Sequence, residues 1–599
     1  MDIYTLDFET FFDADYSLTK LNTEAYVRDA RFEALCLGIN KNGAETGALP
    51  QEEIAPWLRS IDWSKCAILA HHAQFDGLIL SHHYGVIPGL WLDTLAMARQ
   101  VHGTHVSVSL ASLVKIYGLK EKTVPYNLFK GKRWSEMDGA LRSTLMNGAE
   151  HDAALEWRCF KEMAQTFPAE EYGVVDMTTR MFTEPVLTAD INKLRDIWIA
   201  EERKKKAMLR DLGVEAADLQ SSEKFAELLR AEGVEPELKD SPKGNKIYAF
   251  AKSDDFMKEL LEDEDDKVSL LARARLGVKS TIDQTRVETF GDALQRGALP
   301  VYLRYCGAHT TRWSGGDGTN WQNFRRGGAL RLAIEAPAGY KIGVVDSSQI
   351  ECRLLNKVAG QHDVVDKFAR GEDPYTGLAS TVYGRTITKE DKAERGTGKQ
   401  GELSCGYQSG WFTFQKTAKL GIYGPPQILS EAECRRIVDI YRQTHPAVVT
   451  LWGEAGRMIS RLAGGEPTIW RDVMEVRNGR IYGPNGSWLD YSTLRYDQEL
   501  RSWIVSKRNG WTKLYGGKLV ENVIQWLARI IVSQAMLRIK KRGFRIVTCT
   551  HDEVVVLLPD DGRDDEYLGT LIEEMCREVP WLPGLPLGAE GGVAVNYSK

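Results

Sequence analysis

VVDSSQIECRLL, residues 344–355, brings the acidic residue Asp346 to the end of a short apolar run, and Glu351 follows five positions later. A second stretch, FRIVTCTHDEVVVLLP at residues 544–559, sets the adjacent acids Asp552 and Glu553 between two β-like runs. This second pattern predicts a hairpin whose turn exposes both acids. Each stretch alone is equally compatible with an ordinary polar strand end, so the combination matters more than either part.

The segment between these two strand regions is rich in helical patterns, from about residue 356 to residue 453. This order of strands and helices predicts a sheet that is interrupted by a helical insertion. Further upstream, residues 184–290 are helical and highly charged, and in EKFAELLR the apolar residues Phe225, Leu228 and Leu229 recur at helical spacing. We expect an elongated helical projection there rather than a core.

The chain begins with the alternating strand pattern IYTLDFET, residues 3–10, which predicts a compact α/β domain. Asp7 and Glu9 are two residues apart on this strand and therefore project from the same face. Asp76 lies amid apolar residues in HHAQFDGLIL, and Asp152 lies on a predicted helix in GAEHDAALEW. An Asp-x-Glu pattern alone is more often an exposed strand edge. However, half-buried carboxylates are costly unless they are paired or metal-bound, so these four together indicate a site for two metal ions.

The composition predicts several domains and excludes some classes of protein. The chain has 599 residues, of which 27% are charged and 43% hydrophobic, as in ordinary globular proteins. Its net charge of −6 does not indicate a nucleic-acid binder, and each of its basic clusters alone is more often a solvated helix face. No apolar run is long enough for a membrane span, and nine scattered cysteines without a CxxC pair give no structural zinc pattern. We therefore expect a cytosolic protein with free thiols and no membrane partner.

The two acidic stretches together resemble motifs A and C of family A DNA polymerases. DSSQIECR parallels the family's DYSQIELR, and HDE is unaltered. The resemblance implies a right-hand fold of palm, fingers and thumb that acts on primer-template DNA and deoxynucleoside triphosphates. It assigns Asp346 and Asp552 as ligands of Mg²⁺ (or Mn²⁺), two ions per active site, with Glu553 in support. Glu351 resembles the family's steric gate, which packs where a ribose 2′-OH would project, so an RNA polymerase is disfavoured.

Further motifs extend the resemblance to nucleotide binding. Four residues that recur every fourth position match the fingers helix of the family, in which Arg395 and Lys399 neutralise the triphosphate and Tyr407 borders the nascent base pair. An amphipathic surface helix is the alternative, although four glycines at 396, 398, 401 and 406 make that helix intrinsically poor. The residues assigned to the nucleotide are Gln349, Glu351, Tyr375, Arg395, Lys399, Leu403 and Tyr407.

Three more segments resemble elements of the family that contact DNA. HTTRWSGGDGTNWQNFRR at 309–326 is similar to its TGRLSS and NLQN element, and ENVIQWLAR at 521–529 is similar to its glutamine-bearing helix. STIDQTR at 280–286 is similar to the strand between thumb and palm that grips primer phosphates. The residues assigned to DNA are Arg286, Arg312, Asn320, Gln322, Asn323, Gln525 and His551.

The four N-terminal carboxylates resemble the metal ligands of DEDD 3′→5′ exonucleases, and LDTLAMAR at 92–99 resembles a further segment of that family. The resemblance implies that two metal ions, which activate a water at the terminal phosphodiester, are bound in this chain by Asp7, Glu9, Asp76 and Asp152. One position departs from the pattern, because Gly148 stands where the family usually has a tyrosine. The group that orients the water is therefore missing or supplied elsewhere. His151 is the nearest candidate, but a helix neighbour of Asp152 is turned about 100° away from it.

We therefore predict a mixed α/β (α+β) protein in which a ribonuclease H-like exonuclease domain precedes a right-hand polymerase domain. The predicted ranges are 1–175 for the exonuclease, 176–300 for the thumb and connecting helices, 301–355 and 454–599 for the palm, and 356–453 for the fingers. The expected function is DNA polymerisation with proofreading in phage replication, by a monomer in the host cytoplasm, with accessory replication proteins as candidate partners. The alternatives are a 3′→5′ exonuclease or a DNA-binding protein whose polymerase half is inactive.

Overall fold

The N-terminal part of the chain forms a five-stranded mixed sheet around the strand that carries Asp7. The computed structural model describes residues 1–121, 124–241, 245–251, 254–261, 266–279, 282–507 and 510–598. The sheet has the spatial order β3-β2-β1-β4-β5 and consists of β1 (Asp2–Thr10), β2 (Ala34–Lys41), β3 (Glu45–Pro50), β4 (Cys66–Ala70) and β5 (Leu90–Asp93). β1 lies in the middle of this order, antiparallel to β2 and parallel to β4. Asp7 and Glu9 therefore lie on the central strand of the sheet.

Seven helices accompany this sheet: α1 (Thr23–Val27), α2 (Gln51–Arg59), α3 (Ala73–Tyr84), α4 (Thr94–His102), α5 (Leu110–Ile116), α6 (Gly139–Ala164) and α7 (Ala169–Thr183). The longest, α6, packs across β1, β2 and β3. Gly38 of β2 permits this close approach, since a Cβ there would lie 2.2 Å from the Ala149 carbonyl oxygen. The approach brings the helix that carries Asp152 onto the strand that carries Asp7.

The next part of the chain is helical, as predicted, but it has a core of its own. It contains β6 (Thr188–Ala189), α8 (Ile191–Leu212), α9 (Ala216–Gln220), α10 (Ser222–Ala231), β7 (Leu238–Asp240), β8 (Lys246–Tyr248), α11 (Asp255–Leu261), α12 (Asp266–Lys279) and α13 (Ile282–Arg296). Phe225, Leu229 and Met257 are buried together. The prediction of a projection without a core is therefore wrong, because the apolar faces of these short helices pack against one another.

A four-stranded antiparallel sheet with the order β20-β21-β12-β22 follows, and it contains both acidic stretches. Its strands are β12 (Tyr340–Ser347), β20 (Arg545–Thr550), β21 (Glu553–Pro559) and β22 (Ala589–Ala594). The register places Asp346 opposite Glu553. Before this sheet lie β9 (Leu303–Arg304), β10 (Ser314–Gly315), α14 (Ala329–Ala333) and β11 (Ile334–Glu335), and α23 (Asp564–Cys576) packs against it.

The predicted helical insertion lies between β12 and the later strands. It comprises α15 (Ile350–Ala359), α16 (His362–Ala369), α17 (Pro374–Tyr383), α18 (Lys392–Ser404), α19 (Trp411–Lys419), α20 (Glu431–Thr444) and α21 (Pro446–Gly464). Two small sheets that the sequence patterns did not predict come next: β13 (Thr468–Trp470), β14 (Met474–Arg477), β15 (Arg480–Tyr482) and β16 (Trp488–Asp490), then β17 (Arg495–Asp497), β18 (Ser502–Lys507) and β19 (Gly510–Leu514). The buried helix α22 (Gly516–Lys541) then leads into β20.

A buried ion pair joins α7 to α22. Arg529 Nη2 donates to Glu171 Oε2 at 2.8 Å, and both side chains are 1% exposed. The same carboxylate accepts hydrogen bonds from Tyr305 Oη at 2.7 Å and from Asn485 Nδ2 at 2.8 Å. Four separated segments of the chain therefore meet at Glu171.

Three of the four predicted domain limits fall inside helices. α7 continues across residue 175, α15 across residue 355 and α21 across residue 453. The limit at residue 300 falls in the connection before β9. Among the described residues, no helix combines the length and the apolar character that a membrane crossing requires.

Candidate active sites

The carboxylates of Asp346 and Asp552 line one cleft of about 810 Å³. Asp346 stands near the end of β12, and Asp552 lies in the turn between β20 and β21. The two strand ends are tied together, because the Ser347 backbone N–H donates to the Asp552 carbonyl oxygen at 3.0 Å. Burial, and next the negative charge of Asp346, raise the pKa of Asp552 to about 7. The charge of Asp346 therefore disfavours the ionised form of Asp552.

Glu553 lies outside this cleft and is buried, so the prediction that the hairpin turn exposes both acids is wrong for this residue. It is 5% exposed, and its Oε2 lies 2.5 Å from Arg331 Nη2. The Tyr597 hydroxyl donates to its other oxygen, and the Arg331 guanidinium lies 3.7 Å from the centre of the Tyr597 ring. Glu553 therefore anchors the base of the β20–β21 turn, and Arg331 and Tyr597 are functional candidates that the sequence reasoning missed.

Cations from the helical insertion line the same cleft as the carboxylates. Arg395 and Lys399 project from α18, and Arg395 Nε donates to Asp373 Oδ2 at 2.7 Å. Burial, and next the positive charge of Arg395, lower the pKa of Lys399. A site that disfavours a second positive charge favours an anion, so this wall of the cleft suits a polyphosphate.

The glycines of α18 serve close packing. A Cβ at Gly398 would lie 2.0 Å from the Tyr375 carbonyl oxygen. α18 can therefore pack tightly on α17, which brings Tyr375 and Leu403 to the cleft wall. The predicted helix face is shorter than expected, because α18 ends at Ser404 and Tyr407 lies on a separate 3₁₀ turn. Tyr407 nevertheless reaches the cleft.

Glu351 is held at the cleft by two side chains. Arg312 Nη1 donates to its Oε1 at 3.1 Å, and Tyr407 Oη donates to its Oε2 at 3.0 Å. Arg312, which was predicted to contact DNA, is thus paired with Glu351. Gln349, at the N-terminus of α15, donates to Asp373 Oδ1 at 3.3 Å. These bonds fix the direction of the Glu351 side chain beside Asp346.

Some of the residues predicted to contact DNA are engaged in bonds within the protein, and others lie at the cleft or on the surface. Gln322 is 7% exposed; its Nε2 donates to the Cys549 carbonyl at 2.5 Å and its Oε1 accepts from the His551 N–H at 3.1 Å. It therefore braces the β20–β21 turn. Asn320 caps the adjacent 3₁₀ turn. Gln525 lines the cleft, and Asn323 and His551 are exposed.

The segment STIDQTR differs from its prediction as a strand. From Ile282 onwards it forms the first turns of α13, and residues 280 and 281 lie outside the described residues. Arg286 is half-buried over the ring of Phe324, at 5.1 Å from the ring centre, and 3.4 Å from Asp283. The segment is helical because residues 282–296 have a helical pattern, and the resemblance to a strand of the family did not predict its structure.

A second acidic cluster lies in the N-terminal part of the chain. Single ligand atoms of Asp7, Glu9 and Asp152 all lie within 4.8 Å of one another. Asp76 is 4% exposed and accepts a hydrogen bond from the Phe8 N–H at 3.1 Å. Burial, and next the charge of Asp7, raise the pKa of Asp76 well above its ordinary value. Three of the four predicted carboxylates thus form one cluster, and Asp76 lies against its edge.

The neighbouring candidates have other roles. Asp93 in the LDTLAMAR segment caps α4, with its Oδ1 accepting from the Leu95 N–H at 2.8 Å. His151 is half-buried, and its Nε2 is buried with no hydrogen-bond partner among the residues that the structure describes. In contrast, Tyr126 Oη donates to Asp152 Oδ2 at 2.6 Å. The sequence reasoning missed Tyr126 because it lies 26 residues before Asp152.

Comparison with known proteins identifies the family. The model of DNA polymerase family A matches residues 193–478. A DNA polymerase of Bacillus phage SP02 is 24% identical over the full length of both chains. Residues 193–478 belong to DNA polymerase family A. The thermostable DNA polymerase I of Thermus thermophilus is 23% identical over 271 residues, which cover 45% of this chain and 28% of that enzyme.

The family A fold also agrees with a solved structure. The POL domain of Pol1 from M. smegmatis, in complex with a DNA primer-template and dNTP, matches with a TM-score of 0.70 at 17% identity. The match covers 100% of this chain and 95% of that domain. This family A chain thus spans the whole of the phage relative and about a quarter of the Thermus enzyme.

Family A DNA polymerases depend on metal ions, and the residues present in this chain fit such ions. The charge of Asp346 disfavours the ionised form of Asp552, and a divalent cation would relieve this repulsion. The N-terminal cluster offers three carboxylate ligands within one ion's reach. Carboxylate oxygens are the donors that Mg²⁺ and Mn²⁺ prefer.

A buried ion pair holds the outer side of α18 in this family A polymerase. Glu402 is 2% exposed, and its Oε1 lies 3.2 Å from Nε2 of His445, which joins α20 to α21. Burial alone would lower the pKa of His445, but the charge of Glu402 outweighs it and the pKa is raised. The helix that bears Arg395 and Lys399 is therefore tied to the junction of α20 and α21 by a contact that becomes an ion pair when His445 is protonated.

We expect His445→Gln to lower the melting temperature more at pH 5.5 than at pH 9. A raised folded-state pKa stabilises the fold below the unfolded value of about 6.5, and this stabilisation is lost as the pH rises through the folded value. Breaking a buried pair costs about 3–5 kcal/mol when both partners are charged. Differential scanning calorimetry of both proteins at the two pH values measures this difference. Equal shifts at both pH values would contradict a charged His445.

Proposed function

We propose that this chain is a template-directed DNA polymerase that adds deoxynucleotides to a primer 3′-OH and proofreads with a 3′→5′ exonuclease site in its N-terminal domain. One observation carries the polymerase proposal: Asp346 and Asp552 line the same cleft as the cations Arg395 and Lys399. Carboxylates that can hold metal and cations that can bind phosphate, gathered in one cleft, suit the transfer of a nucleotidyl group from a triphosphate.

We assign a different role in the reaction to each group of residues in and beside the cleft. Asp346 and Asp552 would hold two Mg²⁺ or Mn²⁺ ions, which would lower the pKa of the primer 3′-OH and neutralise the triphosphate. Arg395 and Lys399 bind the phosphate oxygens and stabilise the pyrophosphate that leaves. The Glu553 pair with Arg331 keeps the turn that carries Asp552 in place.

The selection of the sugar rests on Glu351. Its carboxylate is fixed by Arg312 and Tyr407 and lies at the cleft, so it would occupy the space of a ribose 2′-OH. A ribonucleotide would be rejected both because its 2′-OH does not fit beside Glu351 and because that hydroxyl would lack a hydrogen-bond partner. These two effects together discriminate against it more strongly than a difference in volume alone. The proposed substrates are therefore deoxynucleoside triphosphates.

We expect Glu351→Ala to raise the ratio of ribonucleotide to deoxynucleotide incorporation by about 10- to 100-fold, because the added space removes roughly 1–3 kcal/mol of discrimination. Single-nucleotide insertion with each triphosphate measures kcat/KM for both sugars. Glu351→Gln, which keeps the volume of the side chain, is the matched control and should change this ratio less. An unchanged ratio in Glu351→Ala would show that another group selects the sugar.

The exonuclease proposal rests on the cluster of Asp7, Glu9 and Asp152. We infer that these residues, with Asp76 at their edge, would hold two metal ions, which would supply an activated water for attack on the last phosphodiester of a primer. Hydrolysis releases a deoxynucleoside monophosphate and leaves a shorter primer with a free 3′-OH. Replication of phage DNA in a host cytoplasm is the proposed setting, supported by the relative from Bacillus phage SP02.

A single primer assay tests both activities. A 5′-labelled primer annealed to a longer template is incubated with the protein and Mg²⁺, with and without the four dNTPs. Extension with dNTPs and shortening without them are the expected results. Extension without shortening would contradict the exonuclease proposal. Shortening in both reactions would leave a nuclease with an inactive polymerase half.

A further inference from the structure

Gly148 leaves a space beside Asp152, and a tyrosine from another segment fills it. A Cβ built on Gly148 would lie 3.4 Å from Tyr126 Oη and 3.0 Å from Val124 Cγ2. Tyr126 Oη in turn donates to Asp152 Oδ2 at 2.6 Å. The phenol that contacts the acidic cluster therefore lies directly beside the point from which a side chain at position 148 of α6 would project.

The segment that carries Tyr126 is anchored on the side that follows the phenol. Tyr126 begins the 3₁₀ turn Tyr126–Phe129, and Phe129 is 1% exposed in the core of the N-terminal domain. The Gly131 N–H donates to the Phe12 carbonyl oxygen at 2.7 Å, which ties the end of the turn to the residues after β1. The phenol is thus held at the cluster by the fold and not by its own hydrogen bond alone.

The direction of the hydrogen bond has a chemical consequence. A tyrosine hydroxyl has an ordinary pKa of about 10 and donates a proton at neutral pH, whereas an ionised carboxylate only accepts. One oxygen of Asp152 is therefore engaged by Tyr126, and this contact restricts how the carboxylate can turn toward Asp7 and Glu9. Partners of this kind commonly determine the orientation of metal ligands.

We propose that Tyr126 is the positioning residue of the N-terminal exonuclease site, in the place that Gly148 leaves open, and that it orients the Asp152 carboxylate toward the metals that act on a DNA 3′ end. This inference rests on the exonuclease function proposed above. It assigns a role to a loop residue that no motif of the sequence singled out.

The test compares Tyr126→Phe with a matched control, Tyr117→Phe. Tyr117 belongs to the same domain, and its hydroxyl also bonds a side chain, His102 Nε2, at 2.7 Å. Both variants lose one hydroxyl and keep the ring. We expect Tyr126→Phe to slow primer shortening by about 10- to 100-fold, as loss of a partner of a metal ligand usually does. Tyr117→Phe should shorten primers at the wild-type rate, and both variants should extend primers normally.

A binding measurement separates orientation of the ligand from a general loss of activity. Mn²⁺ is titrated into full-length protein that carries Asp552→Ala, so that binding at the polymerase cleft is weakened, and bound Mn²⁺ is followed by electron paramagnetic resonance. Adding Tyr126→Phe should weaken the remaining binding by about 10-fold or more, and adding Tyr117→Phe should not.

The outcomes distinguish this inference from the function on which it rests. Unchanged Mn²⁺ binding and unchanged shortening in Tyr126→Phe would overturn the role of Tyr126 while the exonuclease stands. Weakened Mn²⁺ binding in a chain whose wild type never shortens a primer would support the role of Tyr126 and remove the proposed exonuclease activity. Equal losses in both tyrosine variants would also overturn the inference, because the effect would then be structural.

Discussion

Asp552→Ala should abolish primer extension while primer shortening continues at the wild-type rate. Asp552 lines the polymerase cleft in the turn after β20, and its pKa of about 7 reflects its burial and its proximity to Asp346. Removal of this carboxylate leaves Asp346 as the single acidic partner for metal in that pair. We expect a loss on the order of 10³-fold or more in kcat, equivalent to at least about 4 kcal/mol of transition-state stabilisation.

Extension of a labelled primer under single-turnover conditions measures this loss. Asp560→Ala is the matched control, because Asp560 follows the neighbouring strand β21 but pairs with Lys341 at 2.9 Å outside the cleft. It should extend primers normally. Loss of both extension and shortening in Asp552→Ala would contradict two separate sites.

Asp7→Ala should have the opposite effect and abolish shortening while extension persists. Asp7 contributes to a cluster of three carboxylates and also raises the pKa of Asp76. Its removal weakens metal binding at the N-terminal site, and we expect a loss of shortening of about 10³-fold or more. Incubation of the labelled primer-template without dNTPs measures the rate of shortening.

Asp2→Ala serves as the control for this second variant. Asp2 begins the same strand β1, but it is exposed and its carboxylate accepts a hydrogen bond from Asn42 Nδ2 at 2.9 Å. It should shorten and extend primers as the wild type does. Retention of shortening in Asp7→Ala would place the hydrolytic chemistry outside the cluster of Asp7, Glu9 and Asp152.

The sequence predicted the parts of the sites that depend on local patterns. Alternation along β1 placed Asp7 and Glu9 on one face, and apolar runs around Asp346 and Asp552 predicted strand ends that the structure brings into one cleft. Both predictions depend on the period of a strand and on turn residues, which neighbouring positions determine.

The missed parts depend on residues that are distant in the chain. The burial of Glu553 follows from Arg331 and Tyr597, and the bond from Tyr126 to Asp152 follows from the packing of a turn on α6. No local pattern predicts such pairings. The prediction for STIDQTR was wrong for a different reason: a resemblance over seven residues was preferred to the helical pattern that follows it.

The Glu171 junction limits how this polymerase can be divided. A fragment that starts at residue 176 would cut α7 in its middle and remove Glu171. Arg529, which is 1% exposed, would then be a buried guanidinium without its counter-ion in the centre of α22, and Tyr305 and Asn485 would lose the acceptor that they share. An uncompensated buried charge costs several kcal/mol, so the N-terminal part of the chain and the part that contains α22 share thermodynamic stability. A polymerase fragment that retains activity should therefore begin ahead of α7, at about residue 165.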